Sequence, residues 1–205
     1  MYFVKTPSIL KPLAKDLVWS IDTQAKEVFL TFDDGPTPEV TDHVLDLLAA
    51  YGAQATFFCL GKNVSQFDGL YSKIKSQGHA TGNHTWNHPD GWKTDKLTYL
   101  KNVIQASEVI HSTLFRPPYG HITPMQTNAL KSRYKIIMWD VLSADFDAQN
   151  TPQKCFENVR KNATSGSIIV FHDNLKSQKN MTASLEMSLK YFTDEGYTLR
   201  PIQVL

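Results

Sequence analysis

The amino-acid sequence predicts an α/β fold, a single-domain distorted (β/α) barrel of about seven strand–helix units with an N-terminal β-hairpin. Short apolar runs alternate with longer segments, such as 40–51 and 99–110, in which apolar residues recur at helical spacing. Gly52, Gly78 and Gly196 each follow such a segment, where a C-cap glycine is expected. This alternation favours a parallel sheet with right-handed crossovers, slightly short of the eight units of a regular barrel.

Seven apolar runs are the predicted strands of this barrel, and no low-complexity linker or internal repeat divides the chain. In order they cover 27–32, 55–60, 79–83, 114–116, 135–139, 167–171 and 197–201. The earlier run 17–21 is expected to pair with 28–32 through the turn at 22–26, which forms the hairpin. We therefore expect residues 1–26 to be an extension packed on the barrel, and residues 27–205 to form the domain that carries the chemistry.

The composition is typical of one globular domain with a sizeable core. Hydrophobic residues make up 41 % and charged residues 20 % of the 205 residues. The net charge is +1, from 21 basic and 20 acidic residues. Because nucleic-acid-binding domains usually carry a pronounced basic patch, we expect no nucleic-acid partner.

The N-terminal segment 1–20 has apolar residues, but lysines and prolines interrupt them. The segment therefore predicts neither a membrane span nor a secretory signal. Cys59 and Cys155 are too few for a disulfide framework, and Cys59 lies in an apolar run where a buried free thiol is expected. We expect a monomer with a cytoplasmic location by default, or a secreted or cell-envelope location if the chain is a trimmed form.

Polar residues follow the predicted strands at one edge of the expected sheet. They are Asp33, Asp34, His84, His88, Arg116, Asp140, Asp145, His172 and Asp173. In parallel barrels chemistry gathers at the C-terminal ends of the strands, which all lie on the same face. Each residue alone would be an ordinary surface residue, but their shared placement predicts a functional site.

The segment GNHTWNHPD places His84 and His88 four residues apart, a spacing that puts both imidazoles on one side of a helical turn. Such a pair alone is more often two loop histidines. A carboxylate from another strand end would complete a metal site with open positions, as catalytic zinc requires.

Asp33 and Asp34 follow the strand VFLTF, and successive residues leaving a strand point to different sides. One carboxylate can thus bind a metal while the other faces the attacking water.

The segment FRPPYG offers a guanidinium followed by a stiff turn. Arg116 is expected to pair with a carboxylate and to hold it ionised, and the turn can present the Tyr119 backbone N–H to a developing oxyanion. His172, just beyond the apolar strand SIIVF, is a candidate general acid. Taken singly, these residues also fit an ordinary proline-containing loop and a structural histidine.

Together, these residues resemble the polysaccharide deacetylase family, the NodB-homology domain of carbohydrate esterase family 4. Five motifs between residues 31 and 173 match in order, so the resemblance covers nearly the whole chain. TFDDG is similar to the first motif, which implies Asp33 as general base and Asp34 as metal ligand. HTWNH is similar to the second, which implies His84 and His88 as the remaining protein ligands.

Two further motifs carry the resemblance along the chain. RPPYG is similar to the third motif, which implies Arg116 oriented toward the base, the Tyr119 N–H in the oxyanion site and Pro117 beside the substrate. VFH is similar to the fifth motif and implies His172 as general acid, with Val170 where leucine is usual.

The segment WDVLSADF departs from the fourth motif, in which the family usually has D-S-x-D-W. Leu142 stands where the motif has its first aspartate, and Phe146 stands where it has tryptophan, whereas Trp139 and Asp145 match the family pattern. The resemblance implies Asp145 as the acidic partner of the catalytic histidine and Trp139 as part of the substrate site. The loss of a carboxylate at position 142 is expected to affect the pKa values of the catalytic groups and the substrate preference. Asp140 is the candidate to supply a carboxylate in its place.

The resemblance implies metal-dependent removal of the N-acetyl group from N-acetylglucosamine units of a poly- or oligosaccharide, peptidoglycan- or chitin-like, with release of acetate. Zn²⁺ is the expected divalent ion, although two histidines and one carboxylate also suit Co²⁺, Mn²⁺ or Ni²⁺. Hydrolysis of O-acetyl esters or of non-sugar amides on the same site stays open, as does a non-catalytic carbohydrate-binding protein. A purely structural zinc site is disfavoured, because it would want a fourth Cys or His ligand.

Overall fold

Parallel strands and the helices that connect them make up the computed structural model, which describes residues 2–7, 9 and 15–203. The strands are β1 (Leu17–Val18), β2 (Glu27–Asp33), β3 (Thr56–Cys59), β4 (Ala80–Asn83), β5 (Leu114–Phe115), β6 (Lys135–Ile137), β7 (Val141–Leu142), β8 (Ile168–His172) and β9 (Thr198–Leu199). The helices are α1 (Val40–Ala50), α2 (Gly61–Gln66), α3 (Asp68–Ser76), α4 (Lys96–Ser107), α5 (Pro124–Leu130), α6 (Pro152–Asn162) and α7 (Gln178–Asp194).

The strands form one curved sheet in the order β1-β6-β5-β4-β3-β2-β8-β7, with β9 paired to the start of β2. The pairings between these named strands are parallel. Asp33, at the end of β2, lies opposite Phe58 of β3 on one side and His172 of β8 on the other. The parallel α/β barrel predicted from the sequence is confirmed, and its register sets predicted site residues side by side.

The predicted N-terminal hairpin is wrong. β1 pairs in parallel with β6, with Leu17 opposite Ile136, and Ser20 forms an antiparallel bridge with Ser167. The segment 17–21 cannot pair with β2 because β3 and β8 already occupy both edges of that strand. Its apolar pattern indicated extended structure, but the pairing partner was decided by the long-range order of the sheet.

The predicted strands otherwise agree with the observed ones to within a few residues at each end, and β7 is an addition that the pattern did not reveal. The apolar run 135–139 leaves β6 after Ile137, where Met138 N donates to Val18 O of β1. The chain then resumes as β7 beside β8, with Val141 opposite Ile169. The chain thus passes from one side of the sheet to the other within a few residues.

The side chains of β2 alternate between two hydrophobic clusters. Val28, Leu30 and Phe32 belong to the cluster under the helices, whereas Phe29 belongs to the cluster inside the barrel. Successive strand side chains point to opposite faces, so Asp33 shares the inner face with Phe29. The alternation of this one strand therefore delivers a carboxylate to the barrel interior at the C-terminal edge.

The described N-terminal residues contact the segment that follows β6. Thr6 N donates to Asp140 O at 2.9 Å, and Lys5 Nζ lies 2.5 Å from Asp140 Oδ2. The division of the chain at residue 26 stays a prediction.

Cys59 and Cys155 are both free and buried, as expected for Cys59. Among the residues with described structure, no helix combines the length and apolar character needed to cross a membrane.

Candidate active site

A pocket of about 480 Å³ opens where β2, β4 and β8 end. The residues predicted from the sequence that line it are Asp33, Asp34, His84, His88, Tyr119, Trp139 and His172. Arg116 and Asp145, which are 0 % and 1 % exposed, lie behind this lining and hydrogen-bond to it. The strand ends thus bring the predicted residues together in one place.

Asp34, His84 and His88 bring their ligand atoms together at one side of the pocket. The Nε2 atoms of His84 and His88 lie 3.6 and 3.2 Å from Asp34 Oδ1. One ligand atom from each residue lies within 4.8 Å of the other two, and the described part of the chain holds no second cluster of this kind. Two imidazoles and one carboxylate are a donor set that suits a catalytic divalent ion such as zinc.

The loop that carries the two histidines is held in an unusual backbone conformation. His88 and Thr85 have φ of +64° and +70°, and Asp34 has φ of +82°, a region that residues other than glycine seldom adopt. Thr85 N donates to Asn83 Oδ1 at 2.8 Å, and His88 N donates to Thr85 Oγ1 at 3.1 Å. Such strain costs about 1–3 kcal/mol per residue and is typical of functional sites. A tight loop, rather than a helical turn, therefore aims both imidazoles at Asp34.

The contacts of Asp34 and His84 test whether this cluster fits a cation. Asp34 Oδ1 is buried and has no hydrogen-bond partner among the residues that the structure describes, whereas Oδ2 accepts from Asn174 Nδ2 at 2.7 Å. His84 Nδ1 donates to the carbonyl of Arg116 at 2.8 Å, which leaves Nε2 facing Asp34. A buried carboxylate oxygen without a partner is costly unless a cation compensates it. The residues therefore fit a divalent ion.

The electrostatics favour the metal-binding protonation states of His84 and Asp34. Burial lowers the pKa of His84 to about 4, so its imidazole is neutral at neutral pH. Burial by itself would raise the pKa of Asp34, but the neighbouring His88 and the charge of His172 outweigh this and hold that pKa below its usual range. Neutral imidazole and ionised carboxylate are the forms that bind metal ions.

Asp33 is fixed by a fully buried guanidinium. Arg116 Nη1 donates to Asp33 Oδ1 at 2.7 Å and to Thr31 Oγ1 at 2.8 Å. Its other nitrogens donate to the carbonyls of Ile137 and Met138 at 3.2 and 3.0 Å. Because these partners lie on β2 and on or directly beyond β6, the guanidinium is held from two strands, and it holds the carboxylate in one orientation. The predicted pairing of Arg116 with a site carboxylate is therefore present, and that carboxylate is Asp33.

His172 faces the pocket from the opposite side and pairs with Asp145. Its Nδ1 lies 2.7 Å from Asp145 Oδ1, and its backbone N–H donates to Asp145 Oδ2, also at 2.7 Å. Burial would lower the pKa of His172, but the Asp145 carboxylate overrides it and raises the pKa to about 9. The imidazole is therefore protonated at neutral pH, and with Nδ1 engaged by Asp145 it keeps the Nε2–H for the pocket.

Tyr119 and Pro117 belong to the turn after β5. Tyr119 has φ of +60°, and its ring lies edge-on to the ring of His88 at 4.5 Å. Pro117 is buried outside the pocket lining, and its carbonyl accepts from Gly120 N at 3.0 Å. Pro117 thus shapes the turn, whereas Tyr119 is the residue of this motif that borders the pocket.

The departures from the fourth motif form an apolar wall. Leu142 and Phe146 line the pocket together with Trp139 and Val170. The ring of Phe146 packs edge-on against His172 at 5.3 Å. Where the family usually has a carboxylate, this pocket therefore has aliphatic surface.

Asp140 does not replace the carboxylate that is missing at Leu142. Its Oδ2 accepts from Lys5 Nζ at 2.5 Å and from Ser167 Oγ at 2.6 Å. Ser167 precedes β8, so these contacts lie at the opposite end of that strand from His172. Asp140 is not part of the pocket lining.

Asp173 fixes the turn that separates the two adjacent carboxylates. Gly35 N donates to Asp173 Oδ1 at 3.0 Å, and Thr41 Oγ1 donates to Oδ2 at 2.6 Å. A Cβ on Gly35 would lie 2.0 Å from Asp173 Oδ2, so only glycine fits there. The close packing of Gly35 on Asp173 allows a sharp turn directly after Asp34. The Asp33 carboxylate therefore faces Arg116, whereas the Asp34 carboxylate faces the two histidines.

Sequence reasoning missed several residues of the site. Asn174 donates to Asp34, and Lys176 lines the pocket. Both follow β8 closely, so their position at a strand end was a usable signal. Tyr2 also lines the pocket, and its hydroxyl donates to Asp147 Oδ2 at 2.7 Å. No local pattern could indicate that contact, because it joins residues from opposite parts of the chain.

Comparison with known sequences agrees with the resemblance to polysaccharide deacetylases that the sequence motifs indicate. The family model described as polysaccharide deacetylase matches residues 20–134. A peptidoglycan-N-acetylglucosamine deacetylase from Bacillus cereus is 35 % identical over 153 residues, which cover 71 % of this chain and 55 % of that protein. The peptidoglycan-N-acetylmuramic acid deacetylase PdaC from Bacillus subtilis is 31 % identical over 194 residues, which cover 91 % of this chain and 40 % of that protein. The chain thus spans about half the length of these two relatives.

Comparison with solved structures extends the likeness to the whole fold. The crystal structure of the Bc1960 peptidoglycan N-acetylglucosamine deacetylase superposes with a TM-score of 0.86 at 29 % identity. The match covers 95 % of this chain and 94 % of that one. The distorted barrel is therefore shared over nearly the full chain.

Proposed function

We propose that this chain, which belongs to the polysaccharide deacetylase family, hydrolyses the N-acetyl group of N-acetylglucosamine units in a peptidoglycan- or chitin-like glycan. The products are acetate and the free amino sugar. The observation that carries the proposal is the convergence of three units in one pocket: the Asp33–Arg116 pair, the ligand cluster and the His172–Asp145 pair.

Asp34, His84 and His88 would hold the divalent ion, for which Zn²⁺ is the first expectation and Co²⁺, Mn²⁺ or Ni²⁺ are alternatives. When bound, such an ion supplies Lewis acidity toward an acetyl carbonyl and makes water more acidic. Two of these residues, His84 and Asp34, are prepared for this role by the directions of their pKa shifts.

Asp33 is the proposed general base. Its carboxylate takes a proton from the attacking water, whose oxygen bonds to the acetyl carbon. The Arg116 hydrogen bond at 2.7 Å holds that carboxylate in one orientation at the pocket lining. The backbone N–H of Tyr119 is the proposed donor to the oxyanion that develops on the acetyl oxygen.

His172 is the proposed general acid. With its pKa raised to about 9, it carries a proton at neutral pH and gives it from Nε2 to the sugar nitrogen as the C–N bond breaks. Asp145 stabilises the imidazolium and fixes its orientation through Nδ1. The apolar wall of Leu142, Phe146 and Val170 excludes water beside the reacting group.

The named relatives act on two different sugars of peptidoglycan, so the proposal extends to N-acetylmuramic acid as an alternative unit.

The cellular location of the protein depends on which form of the glycan is its substrate. An enzyme of assembled peptidoglycan works in the cell envelope, whereas an enzyme of short precursors works in the cytoplasm. A monomer is proposed as the working state, since one chain already supplies the candidate base, metal ligands and general acid.

Acetate release tests the proposal. The protein is treated with a chelator, supplied with Zn²⁺ or Co²⁺, and given N-acetylglucosamine oligomers, peptidoglycan, acetylated xylan and a small acetamide. We expect metal-dependent acetate release from the N-acetylated glycans, with mass spectrometry of digested peptidoglycan locating the free amine. A higher kcat/KM on acetylated xylan would instead make the protein an O-acetyl esterase. Glycan binding with no acetate release from any substrate would make it a non-catalytic carbohydrate-binding protein.

A further inference from the structure

An aromatic pair outside the catalytic residues borders the pocket. The indole of Trp92 lies on the imidazole of His121 with the ring centroids 3.6 Å apart and the planes within 6° of each other. Trp92 is 64 % exposed, so the indole face opposite His121 is open to solvent. We call these two residues the Trp92–His121 platform.

The platform is held in place by a local hydrogen-bond network. Asp90 Oδ1 accepts from Trp92 N at 3.0 Å and lies 2.9 Å from His121 Nδ1. The indole Nε1 donates to the carbonyl of Ile122 at 3.4 Å. At Gly91 a Cβ would lie 2.2 Å from His121 O, so this loop is packed closely on the neighbouring segment. Because the ring is already ordered, a ligand that stacks on it pays little additional conformational entropy.

The platform is continuous with the catalytic pocket. His121 lines the same pocket as the metal-ligand cluster. The ring of Tyr119 lies 5.9 Å from the ring of His121 and 4.5 Å from that of His88. A row of aromatic rings therefore leads from a metal ligand to the exposed indole. A polymer whose acetyl group reaches the ligand cluster has further sugar units to place along such a row.

The open indole face has the chemistry of a sugar-binding surface. The C–H groups of a pyranose ring give it an apolar, weakly positive face, which complements the negative π face of an indole. The hydroxyl groups at the rim of the sugar need polar neighbours, and the loop that carries the indole supplies the Asp90 carboxylate, which accepts from the Trp92 backbone N. A single exposed ring among polar groups is small for a protein–protein contact, which usually needs a larger contiguous apolar patch.

We propose that the Trp92–His121 platform is a glycan subsite that binds the pyranose ring of a sugar neighbouring the one that loses its acetyl group. The inference rests on the proposed function, because it concerns the same glycan substrate. It makes the enzyme selective for oligomers over single sugars, with the selectivity carried by Trp92 and its support His121.

Kinetics of Trp92→Ala test the subsite. On an N-acetylglucosamine pentamer we expect kcat/KM to fall about 3- to 10-fold, mainly through KM, since one stacking contact is lost. On p-nitrophenyl acetate, which fills only the catalytic pocket, the rate should not change. Trp92→Phe should retain most of the oligomer activity. Leu97→Ala removes another exposed apolar side chain, 69 % exposed and outside the pocket lining, and should change neither rate. An unchanged kcat/KM on the pentamer, or an equal loss on the ester, would overturn the inference.

A binding measurement separates the subsite from the proposed activity. Calorimetric titration with the same pentamer compares Asp33→Asn with Asp33→Asn/Trp92→Ala, neither of which needs to turn over. We expect weaker binding without Trp92, and a smaller further loss when His121→Ala is added, because the two rings act as one unit. If wild-type protein releases no acetate from any glycan, the proposed function fails while this comparison still decides the subsite. Equal pentamer affinity of the two proteins, or no pentamer binding by either, overturns the subsite.

Discussion

The ends of β4 and β8 each present a histidine to the same pocket, and the two imidazoles are held in opposite protonation states. His84 donates Nδ1–H to the carbonyl of Arg116, and burial lowers its pKa to about 4. For His172 burial acts in the same direction, but the Asp145 carboxylate 2.7 Å away reverses it and raises the pKa to about 9. A neutral carbonyl does not offset the desolvation of an imidazolium, whereas a carboxylate does.

The comparison indicates that the partner of Nδ1 suits each histidine to its proposed task. In the proposed function, a neutral His84 would offer the Nε2 lone pair to a metal ion, and a protonated His172 would offer the Nε2 proton to a leaving amine. His84 directly follows β4 and His172 ends β8, so their position at strand ends does not distinguish the tasks. Variants that remove a histidine, or that change its partner, therefore test the two roles separately.

Removing the neutral histidine should have the largest effect. His84→Ala takes one of three ligands from the cluster, so bound metal should be lost and acetate release should fall on the order of 10³-fold or more. Metal content by mass spectrometry and acetate release measure this, with circular dichroism to show that the variant folds. His43→Ala, which removes an exposed histidine on α1, is the matched control. Full metal content and turnover in His84→Ala would show that His84 is not a ligand.

Removing the charged histidine should leave the metal in place. His172→Ala is expected to slow acetamide hydrolysis by about 10²- to 10⁴-fold, the usual contribution of a general acid. An activated ester, whose leaving group needs no proton, should be affected much less. The ratio of the two rates is the readout, with metal content measured on the same sample. Equal losses on both substrates would remove the general-acid role from His172.

Asn174 links the two sides of the pocket, since it follows β8 but donates to Asp34 Oδ2 at 2.7 Å. Asn174→Ala should weaken metal affinity by about 10-fold, because the ligand carboxylate loses the group that orients it. Competition with a chromophoric chelator measures the dissociation constant. Asn162→Ala, which removes a carboxamide bonded within its own helix α6, is the control. An unchanged dissociation constant in Asn174→Ala would assign the orientation of Asp34 to other contacts.

Changing the partner of His172 should move the pH profile. The wild-type kcat is expected to fall as pH rises through about 9, where His172 loses its proton. In Asp145→Asn the raising carboxylate is gone, so this limb should shift toward the ordinary value of 6.5, and kcat at pH 8 should drop about tenfold. Asp147→Asn, beside Tyr2 rather than His172, should leave the limb in place. An alkaline limb unmoved by Asp145→Asn would mean that another group governs it.

The same pair contributes to stability with a defined pH dependence. The pKa of His172 in the folded protein lies above the ordinary value, so folding is favoured by binding the proton. This contribution is fully present below about pH 6.5 and is lost as pH rises through about 9. Urea unfolding of wild type and Asp145→Asn across that window measures it, and parallel curves would contradict the assignment.

The convergence of the candidate residues was predictable from sequence because they lie at strand ends. Asp33 and His172 end β2 and β8 and His84 directly follows β4, and parallel strands end at one edge. The motif order then separated base from ligand in the adjacent pair, and the structure places Asp33 on Arg116 and Asp34 by the histidines. The roles themselves stay predictions until the variants are measured.

The remaining features depend on contacts between distant parts of the chain. The segment 17–21 was correctly extended but wrongly paired, because its sequence does not show that both edges of β2 are taken. Tyr2 lines the pocket through packing against Phe146, with ring centroids 5.3 Å apart, which no local pattern encodes. Likewise the role of Asp140 was decided by Lys5 and Ser167.

The most direct measurement of the central claim is an NMR titration of the imidazole nitrogens of His84 and His172 in the chelator-treated protein. The assignment of each signal comes from His84→Ala and His172→Ala. We expect His172 to keep its proton until about pH 9 and His84 to stay neutral down to about pH 4. A His172 that is neutral at pH 7, or a His84 that is protonated there, would contradict the division of tasks between the two strand ends.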